Sequence, residues 1–237
     1  MNYFSPKAVP FETLGMAHLF AWLFMLLVLF LILYMYKCLP HVLWHSRWIW
    51  VIILIVVDAS LYVWYLASGV WNTATTLPFN LCSLMLYFTI WMLIRPSPKL
   101  SGIVFLLTIA GALQAMLTPE LFYGYPHYRF FQFFIAHAVM ICGQMHLFFS
   151  GFIRFHRFTF VYAWLFLNGL AGLAWFINEA TGGNYFFVHR KPDNASLLDL
   201  LGPYPWYLLS LEIVALIILA IIQCVFVYLQ KFFKCGH

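Results

Sequence analysis

The chain has 237 residues, of which 65% are apolar, 21% aromatic and only 8% charged. Soluble domains carry about 25% charged residues, so a water-facing globular surface is excluded, and disorder is excluded because apolar surface is plentiful. The formal charge of +5, from 12 basic and 7 acidic residues, is too small and too scattered for a nucleic-acid partner.

A helix needs roughly 20 apolar residues to cross a bilayer core. The length therefore fits an all-α, polytopic bundle of about seven crossings, read as a single transmembrane domain over residues 1–237. The predicted helices run over residues 16–36, 48–70, 79–94, 100–117, 130–149, 158–177 and 206–229. The first run lacks a basic start and is followed by Tyr36-Lys37, so it reads as a transmembrane helix and not as a cleaved signal. Pro78 falls near the first turn of the third helix, where its missing N–H costs nothing. Arg95-Pro96-Ser97-Pro98-Lys99 reads as a tight turn. On the sixth helix, Gly169 and Gly172 allow a close helix approach. The longest connection, residues 178–205, carries Thr181-Gly-Gly-Asn184-Tyr185-Phe186-Phe187 and Gly202-Pro-Tyr-Pro-Trp206 at its end. It reads either as an interfacial aromatic belt or as a lid over a cavity, with Asn184, Tyr185 and Trp206 as candidates for shaping substrate access. Asn194-Ala195-Ser196 within it matches a glycosylation sequon.

Basic residues set the expected orientation. Lys37, Arg47, Arg95, Lys99, Arg154, Arg157, Lys231 and Lys234 fall on one side, against Lys7, Arg129, Arg190 and Lys191 on the other. The positive-inside rule then predicts an outside N-terminus and a cytoplasmic C-terminus. Glu12, Glu120, Glu179, Asp193 and Asp199 all fall on the outer side.

The five cysteines, Cys38, Cys82, Cys142, Cys224 and Cys235, form no C-x-x-C pair, so neither a zinc ribbon nor a disulfide framework is indicated. His41 and His45 have i, i+4 spacing but flank a Trp-rich basic segment, which favours an interfacial role over metal binding. No metal and no cofactor is expected.

Polar groups in hydrocarbon need partners, and each asks for a reason. Cys82 lies roughly 5 Å and His137 roughly 10 Å below the outer boundary, at about 1.5 Å per residue. Asn80, Gln114, Gln144, Asn168 and Glu212 lie in the outer half or near the midplane, and Asp58 near the middle of the second helix. Phe133, His137, Met140 and Gln144 share one helical face, and Asp58, Tyr62 and Tyr65 share another. Cys82 reads as a buried hydrophobe or as a nucleophile. His137 reads as an interhelical hydrogen-bonding group or as the general base for that thiol. Asp58 and Glu212 read as structural carboxyls before metal ligands. Asn80, Gln114 and Gln144 are candidate oxyanion donors.

Four stretches carry a family resemblance: Leu77-Pro-Phe-Asn-Leu-Cys82-Ser83, Phe130-Phe-Gln-Phe-Phe-Ile-Ala-His137, Thr181-Gly-Gly-Asn184-Tyr185-Phe186 and Gly202-Pro-Tyr-Pro-Trp206. In this order the chain resembles the YwaF-like integral membrane proteins of bacteria, relatives of a eukaryotic multipass acyltransferase that remodels ether phospholipids. The resemblance implies six or seven crossings, a nucleophilic cysteine at Cys82 and a basic histidine at His137. Many bacterial members carry a histidine two positions before the cysteine, where this chain has Asn80.

The expected function is therefore that of a multi-pass cell-membrane protein. It would act as a lipid acyltransferase or acyl hydrolase through a Cys82–His137 pair and an acyl-thioester near the outer leaflet. Membrane lipid is the expected partner. The alternatives are a small-molecule or ion transporter using Asp58, Gln144, Asn168 and Glu212, and a non-catalytic lipid-binding protein.

Overall fold

The computed structural model describes residues 3–5, 7, 10–39, 42, 44–192 and 197–234. His41, the Asn194-Ala195-Ser196 sequon and Cys235 lie outside the described residues. The described chain is all helical, with no strand. Its long helices are α1 (Met16–Cys38), α2 (Arg47–Ala67), α3 (Leu81–Ile94), α4 (Ser101–Leu117), α5 (Tyr128–Phe149), α6 (Thr159–Thr181) and α7 (Trp206–Lys234). Each predicted span overlaps one of these helices. Two short 3-10 turns, Tyr185–Phe187 and Leu197–Leu201, sit between α6 and α7.

Five helices (α1, α2, α5, α6 and α7) are long and apolar enough to cross a membrane, whereas α3 and α4 are shorter. The 14 residues of α3 span only about 21 Å at about 1.5 Å per residue, less than the roughly 30 Å of a bilayer core. The residues before α3 do not extend it, because Asn80 is in an extended conformation.

Hydrogen bonds and ring contacts fix the directions of packing. His18 meets the Met116 carbonyl at the upper end of the bundle, where α1 begins. Tyr36 meets Phe149 and Phe233 at the lower end, where α7 ends. Ser60 pairs with Tyr128, and Trp50 with His146, so α2 runs antiparallel to α5. Thr89 pairs with Thr108, while Leu81 and Cys82 face Gly111, so α3 runs antiparallel to α4. Successive helices alternate in direction throughout, and α3 and α5 both start at the upper end.

Helix α5 is the central post, packed against α1, α2, α3 and α4. Fifteen of its 22 residues are buried, among them Gln132, His137, Gln144 and His146. Because protein surrounds it, α5 can carry polar side chains that would be costly against lipid. The outer helices do the reverse: Phe20, Leu23, Phe30, Ile52, Val63, Phe176 and Ile213 present exposed apolar surface, as a lipid-facing surface requires. The packing expected of Gly169 and Gly172 is absent, since a Cβ at either would meet nothing within 4 Å. Close approach occurs instead at Gly143, where a Cβ would lie 3.2 Å from Leu93 Cδ1 and 3.3 Å from Thr89 Cγ2.

Candidate functional site

Helix α3 starts at Leu81, which makes Cys82 its second residue. The first intrahelical bond runs from the Leu84 N–H to the Asn80 carbonyl at 3.1 Å. The N–H groups of Leu81, Cys82 and Ser83 therefore precede the hydrogen-bonded ladder. They point from the positive end of the helix dipole, a ready place for an oxyanion. Spacing alone had suggested Asn80, Gln114 and Gln144 as donors; the backbone donors become visible only once the helix start is known. An Asn directly before an apolar helix is the sequence signal that could have located them.

Cys82 is half-buried. Its sulfur lies beside Gly111 of α4, where a Cβ would stand only 3.8 Å from Sγ. His137 is buried, and its Nδ1 bonds the Phe133 carbonyl at 2.8 Å. In that geometry Nδ1–H donates and Nε2 holds the free lone pair, the tautomer a base needs. The Phe133 ring packs on the imidazole at a centroid distance of 4.2 Å.

The relative height of the two side chains follows from one bond. Gln144 Nε2 donates to Thr89 Oγ1 at 2.9 Å, joining α5 to α3. Cys82 lies seven residues before Thr89, and His137 seven residues before Gln144. Seven residues are two turns, about 10.5 Å of rise, and return to nearly the same helix face. Cys82 and His137 therefore each stand two turns above this bond on their own helices, and the neighbour of the Cys82 sulfur is Gly111 of α4. Among the described residues no hydrogen bond joins the Cys82 thiol to the His137 imidazole.

The supporting residues fall in distinct places. Asn80 Oδ1 accepts the Phe186 N–H at 3.4 Å. Gln114 Nε2 donates to Thr118 Oγ1 at 2.5 Å, so its amide is turned to the end of its own helix. Gln144 is fully buried two turns below the thiol, with its amide given to Thr89. Thr89 in turn meets Thr108 at 3.4 Å, making a polar floor beneath the site.

A roof lies above. Tyr185 is buried rather than lining an entrance: its hydroxyl donates to the Thr73 carbonyl at 2.7 Å and accepts the Leu77 N–H at 2.9 Å. Burial raises the Tyr185 phenol above its ordinary range, with the Leu77 N–H partly opposing that shift. Asn178 clamps the backbone of Tyr185 from both sides, at 2.8 and 3.0 Å. Asn184 closes the turn onto Arg190, at 2.8 Å to its carbonyl and 3.2 Å from its N–H. Phe186 and Phe187 both take left-handed backbone angles, φ 59° and 53°, a strain of order 1–3 kcal/mol each. The Phe186 N–H donates to Asn80 Oδ1, while Asn178 and Tyr207 donate to the carbonyls of Tyr185 and Phe187, and these bonds hold that segment in place. Trp206, by contrast, is 65% exposed at the start of α7.

The other intramembrane polar groups form separate pairs. Tyr87 of α3 donates to Asp58 Oδ2 at 3.0 Å, so the phenol capping this carboxyl comes from across the helix interface. Asn168 Nδ2 donates to Glu212 Oε2 at 2.9 Å between α6 and α7. Among the described residues no three His, Cys, Asp or Glu side chains gather as a metal site. A groove of about 640 Å³ opens along the upper half of α2, lined by Phe4, Ser60, Val63, Trp64, Ala67, Ser68 and Tyr128. None of the candidate site residues lines it.

No curated protein and no solved structure matches the chain. The sequence pattern of the TMEM164 family matches residues 12–223, from just before α1 into α7. The roof, the start of α3 and the central helix all fall within that match, and the protein belongs to the TMEM164 family.

Proposed function

We propose that this protein is a seven-crossing enzyme of the cell membrane, with the upper end outside, that moves a fatty acyl group through Cys82. The reading is supported by the register of α3 and α5, in which Cys82 and His137 each lie two turns above the Gln144–Thr89 bond, by the N–H groups at the start of α3, and by the Nδ1 bond that leaves Nε2 as the basic nitrogen of His137. The resemblance of Leu77–Ser83 and Phe130–His137 to YwaF-like and ether-lipid acyltransferase sequences supports the same reading. So does the depth, because acyl ester carbonyls lie just below the headgroups.

Cys82 Sγ attacks the ester carbonyl of a membrane phospholipid as His137 Nε2 takes the thiol proton. The carbonyl oxygen becomes an oxyanion held by the N–H groups at the start of α3, with Asn80 beside them. When the intermediate collapses, the C–O bond breaks and His137 returns the proton to the leaving lysolipid hydroxyl. A second lysolipid hydroxyl, or water, then attacks the thioester carbonyl as His137 takes its proton; the C–S bond breaks, the acyl group leaves as a phospholipid or a free fatty acid, and His137 returns the proton to the Cys82 sulfur. The roof and the polar floor bound the site above and below.

The missing thiol–imidazole bond favours a second reading, a non-catalytic lipid-binding protein. Transport is less supported, because the Asp58–Tyr87 and Asn168–Glu212 pairs lie between different helices and do not join into a path. Acyl exchange between labelled phospholipids in proteoliposomes separates these readings. Wild type should exchange, and Cys82→Ser and His137→Ala should lose at least about 100-fold, the usual scale of a positioned base. Equal rates in all three would leave lipid binding as the function.

A further inference from the structure

At the lower end of the bundle, several buried polar side-chain atoms have no hydrogen-bond partner. Trp50 Nε1 donates to His146 Nδ1 at 3.2 Å, tying α2 to α5. With Nδ1 accepting, the proton of the neutral ring is on Nε2, and that Nε2–H is buried without a partner. His146 is fully buried. One turn further down, Arg47 lies on the Trp50 face of α2 and Ser150 on the His146 face of α5. Because α2 and α5 are antiparallel, both residues lie on the lower side of the Trp50–His146 bond. Arg47 Nε and Ser150 Oγ are likewise buried with no partner. The Ser150 N–H bonds the His146 carbonyl at 2.9 Å, which ties the end of α5 to the turn that carries His146.

Among the described residues no carboxylate pairs with Arg47. Of the described acids, Glu12, Glu120, Glu179 and Asp199 belong to the upper end, and Asp58 and Glu212 lie within α2 and α7. Arg47 is held flat by Trp44 and Trp48, with its Cζ 3.4 and 5.2 Å from their ring centroids. Trp44 is itself stacked on Phe152 at 4.3 Å. A guanidinium fixed among tryptophans at the end of a span sits where lipid phosphates sit. Arg47 is only half-buried, so its charge is reachable from that surface.

We infer that Arg47, His146 and Ser150 form a binding site for a phosphoryl anion at the lower end of the bundle, separate from Cys82. Arg47 supplies the charge, and Ser150 and His146 supply the donors behind it. The anion is either the phosphate of a lipid headgroup or free phosphate, which present the same oxygens.

The test uses the full chain in maltoside micelles, which contain no phosphate. Phosphatidylglycerol, diacylglycerol and sodium phosphate at constant ionic strength are added in separate arms. Thermal unfolding and native mass spectrometry are the readouts. Phosphatidylglycerol or sodium phosphate should raise Tm and, for the lipid, give a one-to-one adduct, and the arm that responds identifies the source. Diacylglycerol should do neither. Arg47→Gln should weaken binding roughly tenfold, the scale of one lost charge-assisted hydrogen bond. Ser150→Ala should weaken it less, and Arg157→Gln, a basic residue at the same end stacked on Phe158, should bind as wild type. No response in either phosphate arm overturns the site. Equal losses in Arg47→Gln and Arg157→Gln overturn it too, since diffuse surface charge would then explain the binding. Should Arg47→Gln fail to fold, the comparison of Ser150→Ala with Arg157→Gln decides.

Discussion

Gln144 donates to Thr89 across the α3–α5 interface at 2.9 Å, and both side chains are fully buried. That bond fixes one point of register between the two helices, and Cys82 and His137 each stand two turns above it on their own helix. Gln144 Oε1 has no partner of its own. The pair is therefore asymmetric, with one well-made bond beside one costly lone carbonyl.

This asymmetry predicts unequal mutants. Gln144→Met removes the unsatisfied oxygen along with the bond and should change stability by less than about 1 kcal/mol. Thr89→Val strips the buried amide of its acceptor and should cost about 1–3 kcal/mol. Thermal unfolding in matched detergent measures both. A costlier Gln144→Met than Thr89→Val would contradict the assignment of the bond.

Much of this bundle was legible in the chain. Unbroken apolar runs separated by Arg95–Lys99, by the residues around Pro119 and by Gly151–Arg157 mark each helix within a few residues. The polar character of α5 was readable too, in His137, Gln144 and His146. Its meaning was not, because only packing reveals that α5 is wrapped by four other helices. The phenol that caps Asp58 is hidden for the same reason: helical periodicity finds Tyr62 and Tyr65 on its own helix, while Tyr87 comes from another. Tyr185 read as an entrance residue because aromatics are dense there, whereas its hydroxyl bonds with Thr73 and Leu77 make it a rivet of the roof. Such long-range bonds leave no periodic trace.

The glycines give a paired prediction. A Cβ at Gly183 would stand 2.6 Å from the Ala74 carbonyl, so Gly183→Ala forces the roof away from the loop before α3. It should destabilise by about 1–3 kcal/mol, the usual cost of overpacking. Gly172→Ala meets nothing within 4 Å and should be neutral or slightly stabilising through helix propensity. Parallel unfolding curves check both. Equal losses would contradict the placement of the roof.

The roof should also loosen in alkali. Burial holds the Tyr185 phenol above its ordinary value of 10.0. Between that value and the raised one, the folded chain keeps a proton that the unfolded chain releases. The stabilisation is thus fully present below about pH 10 and is lost as pH rises through the folded value. Tyr185→Phe removes this component, at a cost of the two hydroxyl bonds. Stability followed from neutral to strongly alkaline pH should fall less steeply in Tyr185→Phe. Superimposable profiles would contradict the buried hydroxyl.

The central claim is that Cys82 carries the acyl group, and the most direct measurement is the mass of the Cys82 peptide after brief exposure to a labelled phospholipid in proteoliposomes. The account predicts an acyl adduct on Cys82 that hydroxylamine removes, and that is absent in folded His137→Ala protein. An unmodified Cys82 in wild-type protein under turnover, or an adduct equally abundant without His137, would contradict it.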